Sequence, residues 1–204
     1  MPYLPNEREY RVMPILEKRT PEEGEERNEY LVEGYATTFG DPYLLFNWEG
    51  NDYYEVIDRD AIDQSTNMED IIFQYDHDGM VYARGHNNTL SVFPDDHGLF
   101  VQADLSKTAD ARNMFENIAS GNVYQMSWAF VVDKDEFDPE TRTRHVRHIK
   151  KCFDVSAVSL PANPSTEIYP IAQQRINGAI EELRQELVER ERKVKLLKIL
   201  TEAK

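Results

Sequence analysis

The sequence predicts a β-rich α+β protein: a closed or partly closed β-barrel of about six to eight strands with surrounding helices, plus an amphipathic C-terminal helix. Three observations lead there. Short runs rich in β-branched and aromatic residues, such as LVEGYATTF, IIFQYDH and CFDVSAVSL, recur between clusters of Asp, Asn, Gly and Pro. These strands follow one another through turns rather than alternating with helices, which disfavours a doubly wound sheet. The last stretch of the chain changes to Glu, Arg and Lys with apolar residues at three- and four-residue steps.

Taken in order, residues 1–28 read as a charged N-terminal extension with one short strand over about Tyr10 to Leu16, then a solvated loop around Pro21-Glu22-Glu23-Gly24. Residues 29–170 form the main domain. Within it, Leu31, Glu33, Tyr35 and Thr37 alternate with Val32, Gly34 and Ala36, a strand pattern. YYEVIDRDAI predicts a short strand running into a turn or small helix, and Ile71 to His77 a central strand. Leu90–Phe93 and Leu99–Leu105 flank a Pro94-Asp95-Asp96-His97-Gly98 turn and read as a hairpin.

A helix follows, capped by Thr108, with Ala111, Met114, Phe115, Ile118 and Ala119 on its apolar face and Gly121 as its stop. Val123–Val132 is the next strand, entering an Asp-rich turn near Pro139. Arg142–His145 opens the returning strand, and Cys152–Leu160 supplies one more before Pro161-Ala162-Asn163-Pro164. Residues 171–204 form the amphipathic helix, with Ile176, Ile180, Leu183, Leu187, Val194 and Leu197 on one stripe; it is a candidate scaffold-binding or self-association segment.

Composition narrows the function classes. The 204 residues carry 38 Asp plus Glu against 23 Lys plus Arg, a net charge of −15, which argues against gripping nucleic acid through its phosphates. No stretch approaches the roughly 18 apolar residues of a membrane-spanning helix, and the first residues lack an apolar signal core, so a soluble intracellular protein is expected. Cys152 is the only cysteine, which excludes an intrachain disulfide and any structural zinc site needing two thiolates. No phosphate-binding glycine loop, H-E-x-x-H, C-x-x-C or G-x-S-x-G motif occurs, and no cofactor is expected.

Candidate chemistry rests on a few polar residues in apolar surroundings. Of five histidines, His77 in QYDHDG ends a predicted central strand, where it could serve as a general base. A metal site at Asp76, His77 and Asp78 is disfavoured, because consecutive strand residues point to opposite faces. Ser127, in MSWAF, alternates with Met126 and Trp128 and would need an adjacent base to become a nucleophile. Asp154 interrupts an apolar strand and needs a partner, a histidine or an arginine such as Arg84 or Arg147. The three together suit a serine hydrolase whose base, nucleophile and orienting acid arrive on separate strands.

The ordered pieces EGYATTFG, YYEVIDRDAI, FQYDHDGMVYARG, GLFVQADLSKT, IASGNVYQMSWAF and FDVSAVSLPANPSTEI resemble the HK97-type phage prohead proteases, also called capsid maturation proteases, over roughly residues 29–168. The resemblance implies a fold like that of herpesvirus assemblin, with the general base at His77 and the nucleophile at Ser127. Where the family usually has glutamate in a Glu-Val-Ser segment, this chain has Asp154, one methylene shorter. In assemblin the third member is a second histidine, which makes His145 or His148 the alternative to Asp154. Gly121 and the Pro161 loop are the candidate oxyanion donors.

What the resemblance further implies is a serine endopeptidase acting inside an immature phage procapsid in the host cytoplasm. Its substrates would be scaffold, or the scaffold-like part of the major capsid protein, and the protease itself. A catalytically silent scaffold- or capsid-binding protein that keeps the fold is the alternative expectation.

Overall fold

A computed structural model of the chain describes residues 8–13, 17–18, 29–48 and 50–159. The expected C-terminal helix over residues 171–204 and the Pro161 loop lie outside the described residues. The elements, in order, are β1 (Arg8–Met13), β2 (Glu17–Lys18), β3 (Leu31–Thr38), β4 (Tyr43–Trp48), β5 (Asn51–Ile57), β6 (Ile72–Tyr75), β7 (Asp78–Arg84), β8 (Leu90–Pro94), β9 (Gly98–Asp104), α1 (Ala109–Ala119), β10 (Gln125–Asp138) and β11 (Thr143–Val158).

Local sequence accounts for several of these directly. In β3 the even-numbered residues Val32, Gly34 and Ala36 are buried, the alternation of a strand with one covered face. The β8–β9 hairpin turns at Asp95, whose carboxylate accepts the His97 and Gly98 N–H groups at 2.7 and 2.9 Å. Gly98 is required by a close approach, since a Cβ there would lie 2.1 Å from the Thr37 carbonyl oxygen. Helix α1 is capped by the Thr108 hydroxyl, which accepts from Ala111 N–H at 3.1 Å, and it stops at Gly121 with φ +77°.

The strands form two sheets. The larger has seven strands in the order β1-β10-β11-β5-β4, with β6 on the second half of β11 and β7 beyond it; the smaller has the order β2-β3-β9-β8. Among the described residues neither sheet closes on itself, so the expected closed or partly closed barrel is corrected to two open sheets that share one core. The reason lies in β10 and β11, which pair antiparallel through several bulges and so bend. The first half of β11 adds β5 in parallel, and its second half adds β6. The large sheet therefore forks rather than rolling up. The sequence reading divided β11 into two strands; it is one, of 16 residues. Strands β2, β4 and β7 lie outside the strands that the sequence predicts, and α1 is the only α-helix among the described residues.

The main core lies between the sheets and under α1. It joins Val32, Leu99 and Val101 of the small sheet, Phe73, Trp128, Phe130 and Val155 of the large one, and Ala111, Met114 and Ile118 of the helix. A smaller cluster of Leu45, Phe46 and Tyr53 packs where β4 and β5 form the other arm.

On the large sheet, a group of charged side chains is buried with the core. Arg11 donates to Glu55 at 2.5 and 2.8 Å and to Glu9 at 2.7 Å. Arg144 donates to Glu9 at 2.6 and 3.0 Å, to Glu55 at 2.7 Å and to Asp135 at 2.6 Å. Tyr43 donates a further hydrogen bond to Glu55. Two arginines thus meet three carboxylates, tying β1, β5, β10 and β11 together.

Candidate active site

The site is built around a two-residue turn. Strands β6 and β7 are joined by Asp76 and His77 alone, both in the left-handed region with φ of 48° and 57°. That is what a tight hairpin needs in order to match strand twist, and Asp and His tolerate it better than bulky or β-branched residues. Asp76 holds the turn in place. Its N–H donates to the Ala157 carbonyl at 2.9 Å, and its two carboxylate oxygens accept the N–H and hydroxyl of Ser159, each at 2.9 Å. The turn is thereby fastened to the end of β11, and His77 is thrown back over the sheet.

Register decides what it meets. Ser127 on β10 lies opposite Ser156 on β11, and Ala129 lies opposite Asp154. Alternation puts Ser127, Ala129, Asp154 and Ser156 on one face, with Met126, Trp128 and Phe130 on the core side. Over that face His77 Nε2 lies 2.6 Å from Ser127 Oγ, and His77 Nδ1 lies 2.5 Å from Asp154 Oδ1. Ser156 Oγ donates to the same Asp154 oxygen at 2.9 Å. A carboxylate facing Nδ1 favours the tautomer with its proton there, leaving the Nε2 lone pair for the serine hydroxyl. Ser127 is fully buried and Asp154 is 1% exposed.

The other candidates are placed elsewhere. His145 Nδ1 lies 3.3 Å from Asp58, and Arg147 pairs with Asp58 and Glu136. Arg84 pairs with Asp70 at 2.5 Å, so neither arginine named for Asp154 serves it; Arg8, 4.0 Å from Asp154 Oδ2, is the nearer cation. Asp78 accepts from the Gly79 N–H at 2.7 Å while Asp76 faces Ser159, so the two acids flanking His77 turn away from it. Gly121 N–H donates to the Ile118 carbonyl at 3.0 Å, which commits it to the helix end and removes it as an oxyanion donor.

A second group has the same connectivity. Ser65 Oγ lies 2.9 Å from His148 Nε2, and His148 Nδ1 lies 2.5 Å from Asp133. The hydroxyl of Ser65, however, also reaches Asp63 at 2.6 Å and has its proton committed there, a bond that lowers the Asp63 pKa. Asp63 in turn lies 3.4 Å from His148 Nε2. Both imidazole nitrogens then face acceptors, which makes this group a latch for the loop before β6 rather than an activated serine.

A family model described as caudovirus prohead serine protease matches residues 16–179. The chain belongs to that family. No curated protein and no solved structure matches it. This prohead protease is thus a serine protease of phage capsid maturation, whose place is inside the procapsid among capsid proteins. Its matched stretch contains His77, Ser127 and Asp154 but not β1.

In this prohead protease the lone thiol has no part in the site's chemistry. Cys152 is buried, and burial together with the nearby Asp154 charge pushes its pKa far up, away from the reactive thiolate. Iodoacetamide is expected to leave the native protein unmodified and fully active, while the denatured chain gains one adduct by intact mass. Fast native alkylation with loss of activity would contradict this.

Proposed function

We propose that Ser127 is the nucleophile, His77 the general base and Asp154 the orienting acid of a peptide-bond hydrolysis, and that the substrate is scaffold or the scaffold-like part of the major capsid protein. The observation that carries the reading is the unbroken path Ser127 Oγ, His77 Nε2, His77 Nδ1, Asp154 Oδ1, at 2.6 and 2.5 Å. His77 Nε2 takes the hydroxyl proton as Ser127 Oγ attacks the carbonyl carbon. The imidazolium, held by Asp154, gives that proton to the departing amine, leaving an acyl-enzyme. Water, deprotonated by the same imidazole, then releases the acid and regenerates the serine.

Ser127 has 0% exposure, while the side chain above it, His77, keeps 17%. Access to the hydroxyl therefore requires the wall around it to yield, which suits an enzyme that stays silent until it is confined with its substrate. Confinement in a procapsid raises the effective substrate concentration and lets a weak docking site suffice. Self-cleavage in the charged terminal segments and self-association through residues 171–204 belong to the same reading.

The test is an intact-mass time course on full-length protein with and without its scaffold-bearing capsid partner, beside Ser127→Ala. Discrete fragments in wild type and none in the mutant are expected. Equal fragments in both would reject Ser127 as nucleophile, and none in either with assembled procapsids would favour a silent assembly protein.

A further inference from the structure

We infer that strand β1 is part of the working site and that Tyr10 is a positioning residue for His77, an inference that rests on the protease reading above. Strand β1 precedes the residues that the family model matches, so nothing in the family assignment gives it a role. Yet it runs antiparallel beside the strand that carries Ser127, with Val12 opposite Ser127 and Tyr10 opposite Ala129.

Alternation divides the duties of β1 between two faces. Glu9 and Arg11 enter the buried ion cluster, where their side chains are 0% and 5% exposed, and this anchors the strand. Tyr10 and Arg8 lie on the other face, above the site. The Tyr10 ring meets the His77 imidazole in a T-shaped contact, with centroids 4.6 Å apart and planes at 69°. Arg8 sits 3.9 Å over the Phe153 ring and 4.0 Å from Asp154 Oδ2. Its side chain is 41% exposed, so solvent weakens that ion pair and leaves Tyr10 the larger part.

The imidazole needs such a wall because of where it sits. Asp76 locks the turn's backbone, but the ring's own rotation is restrained only by its two hydrogen bonds and by what packs on it. One of those bonds is lost during turnover: once Ser127 Oγ is acylated it has no proton to donate. Through that interval Asp154 on one nitrogen and the Tyr10 ring on the flank keep Nε2 aimed at the carbonyl that water must attack. A ring free to swing is misplaced for the second half of the reaction, and misplacement on the scale of 1 Å costs about 100-fold.

The experiment compares full-length wild type, Ser127→Ala, Tyr10→Ala, Tyr10→Leu and Tyr10→Phe with the scaffold-bearing partner, measuring cleavage rate against partner concentration. The imidazole N–H signals of histidine-labelled protein and the thermal unfolding midpoint are recorded in parallel. Tyr10→Ala is expected to lower kcat by about 10- to 100-fold with KM within about twofold, and to broaden the His77 Nδ1 proton signal. Tyr10→Phe, which keeps the ring, should restore both. Tyr10→Leu keeps apolar bulk without a ring face and covers the case in which alanine fails to fold.

Wild-type kcat and an unchanged imidazole signal in Tyr10→Leu would overturn the inference, as would Tyr10→Phe being as impaired as Tyr10→Ala. Cleavage surviving in Ser127→Ala would instead reject the protease roles assigned above. The two failures are distinguishable, because the imidazole signal is read without turnover.

Discussion

Asp154→Asn is expected to lower cleavage by about 10,000-fold while leaving the fold intact. Asparagine matches aspartate in shape but carries an amide N–H₂ in place of one oxygen. Ser156 Oγ donates to Asp154 Oδ1 at 2.9 Å, the same oxygen that faces His77 Nδ1 at 2.5 Å. In the variant, an amide oxygen kept at that position can still receive Ser156, but the neutral dipole no longer balances the imidazolium. An amide nitrogen there donates to Nδ1 and forces the proton to Nε2, which then points a donor at Ser127 Oγ. The first orientation leaves a weakened base whose imidazolium is uncompensated, and the second leaves the serine without one. Steady-state cleavage by Asp154→Asn, with its unfolding midpoint beside that of wild type, checks this; a loss under tenfold would mean Asp154 does not orient the base. Asp154→Glu, which keeps a carboxylate but places it one methylene further out, should retain more activity than Asp154→Asn.

Arg144→Ala should destabilise the protein by about 3–5 kcal/mol, a large share of the roughly 5–15 kcal/mol that holds a domain of this kind together. The Arg144 side chain is 1% exposed and bonds Glu9, Glu55 and Asp135. Its removal takes a cation from all three carboxylates, while Arg11 stays with Glu9 and Glu55 only, in a place where water does not readily replace the lost partner. Replacing charges by well-packed apolar groups across the whole cluster would cost far less than breaking it at one member.

The cluster also makes stability depend on pH. Burial alone would raise the Glu55 pKa, but Arg11 and Arg144 outweigh it, and the folded-state pKa lies below the ordinary value. A depressed carboxylate adds stability that is fully present above its unfolded pKa and is lost as pH falls through the folded one. Wild type should therefore lose stability as pH drops below the usual carboxylate range, about 4.3, and Arg144→Ala should show a shallower loss attributable to Glu55. Urea titrations across that range measure both; identical pH slopes would mean the pair contributes no linkage.

Much of the fold was legible because its signals are local. The Thr108 cap and Gly121 stop of α1, the Asp95–Gly98 turn and the alternation in β3 all follow from interactions within a few residues. Strand β7 was missed because MVYAR has exposed Met80 and Val81 and lacks a half-buried alternation. The barrel expectation failed for a different reason: strand count does not specify whether edges meet, and the bulged β10–β11 pair sends two different neighbours along one strand.

The site was legible as candidates and not as an arrangement. Ser127 and Asp154 were visible as polar residues in apolar strands, and His77 by its position, with His145 and His148 beside it as alternatives. Tyr10 gave no signal, since its partner is 67 positions away on a turn whose backbone geometry cannot be read from QYDHDG.

By itself, the sequence determined a β-rich, acidic, single-cysteine chain of the prohead protease kind, because composition, short-range pattern and motif order are written along one dimension. Only the tertiary structure decided which acid stands behind which imidazole. His77 meets Ser127 across 50 positions and Asp154 across 77, through strand register and a turn with two left-handed residues. A shift of one residue in that register would turn Ser127 and Asp154 to the core face, without changing a letter of the text.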